Sequence, residues 1–499
     1  MPKIKILTKE KSTELEVQQG SNLLFELFKA RFEIYSPCGG NGTCGKCKVY
    51  IKDEGYVTAC LYEVDKDIEV SLPDPVESKI LVSQYKYTRS LPLDPGEAEK
   101  LSSYPLGIAI DIGTTTMVFY LVNLITGALV ETKAVVNPQV KFGADIISRI
   151  NYCIQNEKGL GDLQQDTLGI INENITNFTE SEKVSLNEIV KITISGNTTM
   201  LHLLLGEDPS TLAFVPFKPV FLDQKKLKTS SLNLKANPEG EVIILPSISA
   251  YIGADIVCGI ASLQISNNIR NYLYIDIGTN GEMALVKDEK IYACATAAGP
   301  AFEGANISCG MPAVEGAIST YKEGKFSTIG DSPPEGICGS GLIDLAAFLL
   351  LNDILKPDGQ LSEEFIIYEN PEESKHEIIS ITQNDIRELQ LAKSAIRSGI
   401  NILCKLAKLQ FEDIDAFYLA GGFGNYIDIY SAVTIGLIPQ EFKNIVVPIG
   451  NASGTGAMLA LKSESYYDIL KTVINRTEHI ELSEHEDFAM EFAMNMGFG

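Results

Sequence analysis

The sequence lacks several features that would place it in common classes of protein. No apolar run approaches the roughly 20 residues that span a bilayer, and the N-terminus lacks the apolar segment of a secretion signal. Basic residues are outnumbered, with 41 Lys and Arg against 65 Asp and Glu and a net charge of −24. Such a charge disfavours nucleic acid and anionic membranes as partners. The sequence therefore predicts a cytoplasmic protein that binds neither.

Histidine and cysteine are also sparse. The four histidines show no metal-ligand grouping, and His202, between Leu201 and Leu203, is predicted to be a satisfied helix residue. Ten cysteines in 499 residues, without a secretion signal, do not indicate a disulfide-rich protein. Six cysteines have no neighbour at short spacing, and we interpret them as small buried apolar residues. They are Cys153, Cys258, Cys294, Cys309, Cys338 and Cys404.

The other four cysteines form a loop with the spacing C-x5-C-x2-C-x12-C. They are Cys38, Cys44, Cys47 and Cys60. Four thiolates at this spacing can hold a [2Fe–2S] cluster. Glycines in the loop let the backbone wrap tightly and point N–H groups at sulfur; they are Gly39, Gly40, Gly42 and Gly45. Zinc is disfavoured because only one C-x2-C half is present, and a P-loop because a cysteine stands where Ser or Thr is required.

The residues around this loop predict a β-grasp domain. Residues 3–8 and 13–18 alternate as two strands of a hairpin, and Ser21 is predicted to cap a helix over 22–30. Closing strands are predicted at 48–52 and 67–72. The segment resembles ferredoxins of the plant and adrenodoxin type, although its gap to the fourth cysteine is shorter. Prolines between 73 and 105 then predict a linker.

The remainder of the chain contains an internal repeat. Two units of strand, turn, strand, turn and strand each carry Asp-Ile-Gly-Thr after the first strand, at Asp111 and Asp276, 165 residues apart. The predicted strands are 106–111, 117–123 and 128–136, and then 272–276, 282–286 and 291–296. An acid at a strand end can hold Mg²⁺ through water. A glycine turn with hydroxyls and exposed N–H groups can grip phosphate. Two facing copies therefore predict a polyphosphate clamp.

A third motif makes this part of the chain resemble the superfamily of actin, sugar kinases and heat-shock chaperone ATPases. An apolar strand over 416–420 precedes Gly421-Gly-Phe-Gly-Asn425. The resemblance implies a duplicated ribonuclease H-like fold that binds ATP and Mg²⁺. By position, it assigns the first phosphate loop to Asp111, Gly113, Thr114 and Thr115, the second to Asp276, Gly278, Thr279 and Asn280, and adenosine contacts to Gly421, Gly422 and Phe423. The candidate general bases for hydrolysis are, in order, Glu282, Asp255 and Glu303.

The predicted protein is thus an α/β multidomain chain. Its divisions are 1–73 for the ferredoxin-like domain, 74–105 for the linker, 106–270 for the first half of the ATPase and 271–499 for the second half. Three further segments open predicted helices. Residues 196–199 are predicted either to bind phosphate at a helix N-terminus or only to cap the helix, and 338–341 and 450–456 have a lower weight as parts of the nucleotide cleft.

A ferredoxin domain fused to an actin-like ATPase resembles the reductive activators of corrinoid proteins. The resemblance rests on six segments, which are 37–47, 111–116, 195–200, 276–282, 297–304 and 420–425. It implies ATP-dependent one-electron reduction of Co(II) to Co(I) in the corrinoid protein of a methyltransferase system. It also implies an upstream low-potential electron donor and an anaerobic cell, and leaves a homodimer open. The sequence lacks Asp-x-His-x-x-Gly, which predicts that the chain binds no cobalamin of its own by that mode.

Two other functions remain open from the sequence. An activator of a radical dehydratase or reductase also couples such an ATPase to a low-potential electron, but holds a [4Fe–4S] cluster between subunits. A chaperone-like ATPase would use the cluster only as a sensor. A plain sugar kinase is disfavoured because the ferredoxin domain would then have no role.

Overall fold

The structure is a computed structural model of the chain. It describes residues 1–8, 12–30, 45–72, 91–94, 97–143, 145–264, 269–369, 378–424 and 426–499, with residues 32, 34, 36, 40 and 42. Within these ranges, no helix is both long and apolar enough to cross a membrane. Residues 76–87 of the predicted linker, whose sequence is also compatible with a short helix or strand, lie outside the described residues.

The N-terminal unit is a five-stranded sheet with one helix, in the strand order β2-β1-β7-β4-β5. Its elements are β1 (Lys3–Leu7), β2 (Ser12–Glu16), β3 (Ser21–Asn22), α1 (Leu23–Lys29), β4 (Lys48–Ile51), β5 (Gly55–Thr58), β6 (Glu63–Val64) and β7 (Ile68–Ser71). Strand β1 runs antiparallel to β2 and parallel to β7. This is the predicted β-grasp arrangement, with β5 as an additional edge strand.

The capping residue of α1 differs from the prediction. Asn22 rather than Ser21 is the N-cap, because its side-chain oxygen accepts a hydrogen bond from the Phe25 N–H at 3.3 Å. Leu23, Leu24 and Leu27 of this helix are buried and pack on the sheet. The apolar face of α1 therefore closes the small N-terminal core as its spacing predicts.

The next part of the chain forms a six-stranded sheet in the order β10-β9-β8-β11-β13-β12. Its elements are α2 (Ala98–Leu101), β8 (Leu106–Ile112), β9 (Thr116–Asn123), β10 (Leu129–Val136), α3 (Ile146–Gln155), α4 (Gly159–Ser181), β11 (Ile189–Gly196), α5 (Thr198–Leu205), β12 (Lys225–Lys228), β13 (Glu241–Ile244) and α6 (Ala254–Gln264). The first three strands are antiparallel, and β11 and β13 then extend the sheet in parallel from β8.

The last part forms a second six-stranded sheet, in the order β23-β22-β14-β15-β16-β24. Its elements are β14 (Asn271–Ile277), β15 (Gly281–Lys287), β16 (Lys290–Thr296), β17 (Ala317–Lys322), β18 (Lys325–Thr328), β19 (Gly336–Ile337), α7 (Gly339–Leu351), β20 (Phe365–Glu369), β21 (Ile378–Ile381), α8 (Gln383–Ala407), β22 (Ala416–Ala420), α9 (Gly421–Gly424), α10 (Ile429–Thr434), β23 (Val446–Gly450), α11 (Ala452–Lys462), α12 (Tyr466–Arg476), β24 (Thr477–His479) and α13 (Phe488–Met494).

The two large sheets have the same topology. The order β10-β9-β8-β11-β13 corresponds strand for strand to β16-β15-β14-β22-β23, with three antiparallel strands followed by two parallel ones in both. The internal repeat predicted from Asp-Ile-Gly-Thr is therefore a repeat of the whole sheet. It places the first strands of the two copies, and the acid near the end of each, in equivalent positions.

One apolar core joins the two sheets. Helix α11 directly follows β23 of the second sheet in the sequence but packs against β8, β11 and α6 of the first. Its buried side chains belong to the same cluster as Ile108 and Phe119 of the first sheet and Val286 and Tyr418 of the second. The sheets are thereby held face to face around α6 and α11, which fixes the cleft between the two acidic turns.

Candidate functional site: an acidic cleft and a cysteine loop

The two repeated turns have equivalent places in their sheets, although the first is one residue longer than the second. Asp111 precedes the last residue of β8, and the Gly113 N–H donates to the Thr116 carbonyl at 2.9 Å. Asp276 holds the same place in β14, and the Gly278 N–H donates to the Asn280 carbonyl at 2.9 Å. A β-carbon on Gly113 would lie 2.7 Å from the Thr116 oxygen, so the first turn requires glycine.

The first turn is held by side chains that sequence analysis missed. Asn137 donates from Nδ2 to the Gly113 carbonyl at 2.8 Å, and its backbone N–H donates to the Thr115 carbonyl at 2.8 Å. Arg149, fully buried in α3, donates from Nη2 to the Thr114 carbonyl at 2.5 Å, and burial lowers its pKa to about 9. A buried guanidinium bound to carbonyls rather than to a carboxylate makes this turn rigid and electropositive.

The predicted segment 195–200 also reaches this turn. Asn197 caps α5 by accepting from the Met200 N–H at 2.9 Å. Its Nδ2 donates to Thr114 Oγ1 at 3.1 Å. Asn197 thus caps the helix and also contacts the candidate phosphate loop at Thr114.

Glu303 lies between the two turns. It ends a short 3₁₀ helix, Pro300–Glu303, and its Oε2 accepts from Thr279 Oγ1 at 2.9 Å. Thr115 of the first turn lies near the Glu303 carboxyl and, with Thr279 and the charge of Arg149, opposes the rise in pKa that burial causes. The Glu303 carboxyl is thus hydrogen-bonded to the second candidate phosphate loop and lies near the first.

The Gly-Gly motif lies against the second acid. Strand β22 runs parallel to β14 with Ala420 opposite Asp276. Gly421 has φ of +85°, and a β-carbon there would lie 2.6 Å from Asp276 Oδ1. Only glycine fits this position without displacing the carboxylate. The surroundings of Gly422 and of the Phe423 side chain lie outside the described part of the structure.

The segment 450–456 reaches the first acid across the cleft. Asn451 donates from Nδ2 to Asp111 Oδ2 at 2.8 Å, and Ser453 donates from Oγ to Asp111 Oδ1 at 2.6 Å. These two residues begin α11, so the helix that joins the cores also fixes Asp111.

The cleft concentrates buried negative charge. The pKa values of Asp255 and Asp276 are raised to about 7. Burial is the largest cause, and the charge of Asp111 is the second. Burial and the charges of Asp255 and Asp276 raise the pKa of Glu282 well above its ordinary value. Hydrogen bonds from Ser453 and Asn451 partly offset the rise that burial causes in the pKa of Asp111.

Repelling carboxyls in a polar cleft favour a bound cation. Among the described residues, however, no three Asp, Glu, His or Cys side chains converge with the geometry of direct metal ligands. The arrangement is compatible with a cation that retains most of its water, as Mg²⁺ does when it accompanies phosphate.

The cysteine loop is described in part. Cys38 and Cys44 lie outside the described residues, whereas Cys47 and Cys60 are both buried, and the Cys60 N–H points at Cys47 Sγ at 3.4 Å. The Cys60 carbonyl accepts from Asn22 Nδ2 at 2.7 Å. A buried sulfur that receives a backbone N–H suits a thiolate ligand of an iron–sulfur cluster.

Three of the four loop glycines lie in the described part of the structure, and each has a positive φ that favours glycine. Gly40, Gly42 and Gly45 have φ of +85°, +75° and +63°, whereas Gly39 lies outside the described residues. A β-carbon on Gly42 would lie 2.6 Å from Leu61 Cδ2, so this turn packs directly against the segment that follows Cys60. The surroundings of Cys47 and Cys60, the two described cysteines of the predicted set, are therefore compatible with thiolate ligands.

His202 and most of the six cysteines outside the predicted ligand set, which were predicted to be structural residues, are buried. His202 is fully buried, contacts the Thr198 carbonyl through Nδ1 at 2.7 Å, and accepts from the Val220 N–H through Nε2 at 3.0 Å. Among the six remaining cysteines, four are buried and Cys153 and Cys309 are half-buried. The buried ones are Cys258, Cys294, Cys338 and Cys404.

Comparison with known proteins places this architecture in a family. A family model described as the C-terminal domain of RACo, the ASKHA domain, matches residues 270–498, and one described as the RACo middle region matches 106–268. The corrinoid activation enzyme RamQ of Eubacterium limosum is 30% identical over 582 aligned residues, which cover 97% of this chain and 98% of the relative. The chain belongs to the RACo family of reductive activators of corrinoid proteins.

Two further relatives agree with membership of the RACo family. The [Co(II) methylated amine-specific corrinoid protein] reductase of Methanosarcina barkeri is 26% identical over 419 residues, covering 77% of this chain and 75% of the relative. The solved structure of a reductive activator for corrinoid, iron–sulfur protein is 30% identical and superposes with a TM-score of 0.74, covering 100% of this chain and 98% of that chain. The RACo middle region corresponds here to the first large sheet, and the ASKHA domain contains the second.

Proposed function

We propose that this RACo protein uses ATP to drive the transfer of one electron to a partner corrinoid protein, which converts inactive Co(II) to Co(I). The observation that carries the proposal is the fusion of two sites in one chain. A β-grasp unit with the buried pair Cys47 and Cys60 is joined to a duplicated fold whose acidic turns face one another. Relatives named for corrinoid activation and corrinoid reduction support the same function.

The electron-carrying site is assigned to the N-terminal unit, residues 1–73. A [2Fe–2S] cluster, when bound, supplies a carrier of one electron. Its ligands would be Cys38, Cys44, Cys47 and Cys60. The chain's own contribution is to bury the thiolates, to aim backbone N–H groups at sulfur and to limit access of water, all of which tune the potential.

The need for ATP follows from the potentials. Plant-type clusters lie near about −400 mV, and the corrinoid couple is expected to be comparable or lower. Raising one electron by roughly 100–200 mV costs about 2–5 kcal/mol, since a tenfold change is 59 mV for one electron. Binding and hydrolysis of a nucleotide can offset this cost.

The ATP site is assigned to the cleft between residues 106–270 and 271–499, with 74–105 as the linker from the first domain. Asp111 and Asp276 would hold Mg²⁺ through water. The two turns would bind the phosphates through Gly113, Thr114, Thr115, Gly278, Thr279 and Asn280, and the adenosine would lie against Gly421, Gly422 and Phe423. The buried Arg149 and Asn137 would keep the first turn in place when the phosphates bind.

The electrostatics bear on the choice of general base. A general base works best with a pKa near the working pH, and the pKa of Asp255 is raised to about 7. Burial, with the charges of Asp255 and Asp276, also raises the pKa of Glu282 well above its ordinary value. We therefore retain Asp255 beside Glu282 as candidates for the base that takes a proton from the attacking water.

The coupling of the two sites would use closure of the cleft. ATP contacts both halves of the repeat, so binding favours a closed arrangement of the two sheets. Closure would favour the complex with the corrinoid protein, and hydrolysis would release it. An upstream low-potential donor must return one electron for each Co(I) formed.

The direct test measures ATP turnover and Co(I) formation under anaerobic conditions, with and without a Co(II) corrinoid protein. We expect the partner to stimulate turnover and Co(I) to form only with ATP. If the partner does not change turnover and ATP does not change the yield of Co(I), the proposal is wrong.

An EPR spectrum of a [4Fe–4S] cluster between subunits would favour activation of a radical enzyme. A cluster that never passes an electron to a corrinoid would favour a sensor.

A glycine substitution tests the adenosine assignment. Gly421→Ala places a β-carbon 2.6 Å from Asp276 Oδ1, so we expect ATP affinity to fall by about tenfold or more, that is, at least about 1.4 kcal/mol. Gly324→Ala is the matched control, because Gly324 has φ of +76° but a β-carbon added there would meet no heavy atom within 4 Å. The control should lose about 1–2 kcal/mol of stability for the left-handed backbone and keep its affinity, as measured by calorimetry. Equal affinities of the two variants would contradict the assignment.

A further inference from the structure

The cysteine loop is attached to the second half of the ATPase by one lysine. Lys46, which directly precedes Cys47, extends its ammonium to three backbone carbonyls more than 260 positions away in the sequence. The Nζ–O distances are 2.9 Å to Ile307, 3.0 Å to Ser308 and 2.8 Å to Gly310. An ammonium has three donors, and each has an acceptor here.

The receiving segment, residues 304–311, is a closed loop. A side chain on Gly304 would overlap the backbone of Met311, and a side chain on Gly310 would overlap the carbonyl of Gly304. Ser308 is fixed separately, since its N–H and Oγ donate to Asp385 Oδ1 at 2.7 and 3.0 Å. The three carbonyls are therefore held converging on one point, where a compact cation fits better than a planar guanidinium.

The same loop begins at the cleft. Gly304 directly follows Glu303, whose carboxyl accepts from Thr279 Oγ1 of the second turn and lies near Thr115 of the first. A series of contacts thus runs from the cysteine loop through Lys46 and residues 304–311 to the second candidate phosphate loop. A phosphate that competes for Thr279 would act on Glu303 and hence on the loop that holds Lys46.

We propose that Lys46 is a positioning residue that fastens the cysteine loop to residues 304–311, so that the nucleotide bound at the two turns determines how the cysteine loop is held. This inference rests on the proposed function for the identity of the nucleotide. It gives the ATPase a physical connection to the electron site that lies outside the Pro-rich linker. The loop would be held in one nucleotide state and presented to the corrinoid partner in the other.

The test compares Lys46→Met with Lys48→Met by hydrogen–deuterium exchange in the full chain, loaded with cluster under anaerobic conditions. Methionine keeps the length of the side chain and removes the ammonium, and Lys48 is an exposed lysine two residues away. Without nucleotide, we expect K46M to exchange about threefold or more faster over residues 45–52 and 304–311. K48M should match the parent protein.

The coupling is measured by adding a non-hydrolysable ATP analogue with Mg²⁺. We expect it to change exchange over 45–52 by about threefold or more in the parent protein and in K48M, and not in K46M. Exchange over 113–116 and 278–281 should respond in all three. A K46M variant that keeps both parental protection and the response at 45–52 overturns the inference.

The outcomes separate this inference from the proposed function. If the analogue leaves 113–116 and 278–281 unchanged in the parent protein, the nucleotide assignment has failed, and the comparison without nucleotide still tests the attachment. The visible spectrum of the cluster shows whether each variant is loaded. If K46M loses the cluster, Lys46→Gln, which keeps amide donors without the charge, takes its place, with the same expected loss of coupling and the same overturning result.

Discussion

Replacing Cys60 with serine is expected to abolish formation of Co(I) while ATP hydrolysis without the partner continues. Cys60 is buried beside Cys47, and its N–H points at the Cys47 sulfur. Serine keeps the volume and the backbone contact but is a poor ligand for iron at neutral pH. The electron site would be lost, whereas the two acidic turns belong to other sheets and should stay intact.

The matched control for this change is Cys153→Ser. Cys153 is half-buried on α3, outside the predicted ligand set, and burial raises the pKa of its thiol to about 11. The control should keep its iron content, its visible spectrum and its yield of Co(I). A C60S protein that retains a full cluster and reduces Co(II) at the parental rate would show that the ligand set is wrong.

Replacing Asp276 with asparagine is expected to stop ATP turnover and, at the same time, to stabilise the nucleotide-free protein. Loss of an acid that is proposed to hold Mg²⁺ should lower turnover by roughly 100-fold or more. The stabilisation arises because burial, and then the charge of Asp111, raises the pKa of Asp276 and disfavours its ionised form. An amide of the same shape carries no charge and avoids both effects. Asp288→Asn, at an exposed turn of the same half, is the control that should change neither quantity.

The stabilisation by Asp276→Asn should depend on pH in a defined direction. The pKa of Asp276 is about 7 in the folded protein, against an ordinary value of 3.8. Between these values the folded state binds more protons than the unfolded state, so stability falls as the pH rises from about 4 to about 7. The parent protein without Mg²⁺ should therefore unfold at a lower temperature at pH 8 than at pH 5.5, and D276N should show less of this loss.

Magnesium should reverse this loss, because a cation replaces the proton as the partner of the carboxyls. Unfolding temperatures with and without Mg²⁺ at pH 5.5 and pH 8 test the point. The parent protein should gain more from Mg²⁺ at pH 8, and D276N should gain little at either pH. A Mg²⁺ effect that is equal at both pH values, or undiminished in D276N, would contradict the cation site.

The parts of the fold that could be predicted are those that depend on short-range sequence patterns. Alternation and glycine turns suffice to locate the strands β8, β14 and β22, because each is an apolar run that ends at a turn with a steric requirement. The helix α1 follows from its apolar face, but its cap does not. Ser21 and Asn22 are both good caps, and only the backbone geometry decides between them.

The contacts that organise the cleft are distant in sequence and could not be predicted in this way. Ser453 reaches Asp111 across 342 positions, and no local pattern indicates which serine does so. Arg149 stands in an ordinary amphipathic helix, where an arginine is usually exposed, yet its guanidinium is fully buried under the first turn. Glu303 was a candidate base, whereas its hydrogen bond from Thr279 and its position near Thr115 are evident only from the structure.

The position of α11 has a consequence for the order in which the protein can fold during synthesis. The helix completes the core of the first large sheet, and Gly107, Gly454 and Gly456 are close-contact points of that packing. Residues up to 270 leave the ribosome well before residue 452 is made, an interval of roughly 10–40 s at the usual rates of synthesis. During that interval the apolar face that α11 will cover has no partner within the chain. Completion of the core of the first large sheet therefore waits for the synthesis of α11.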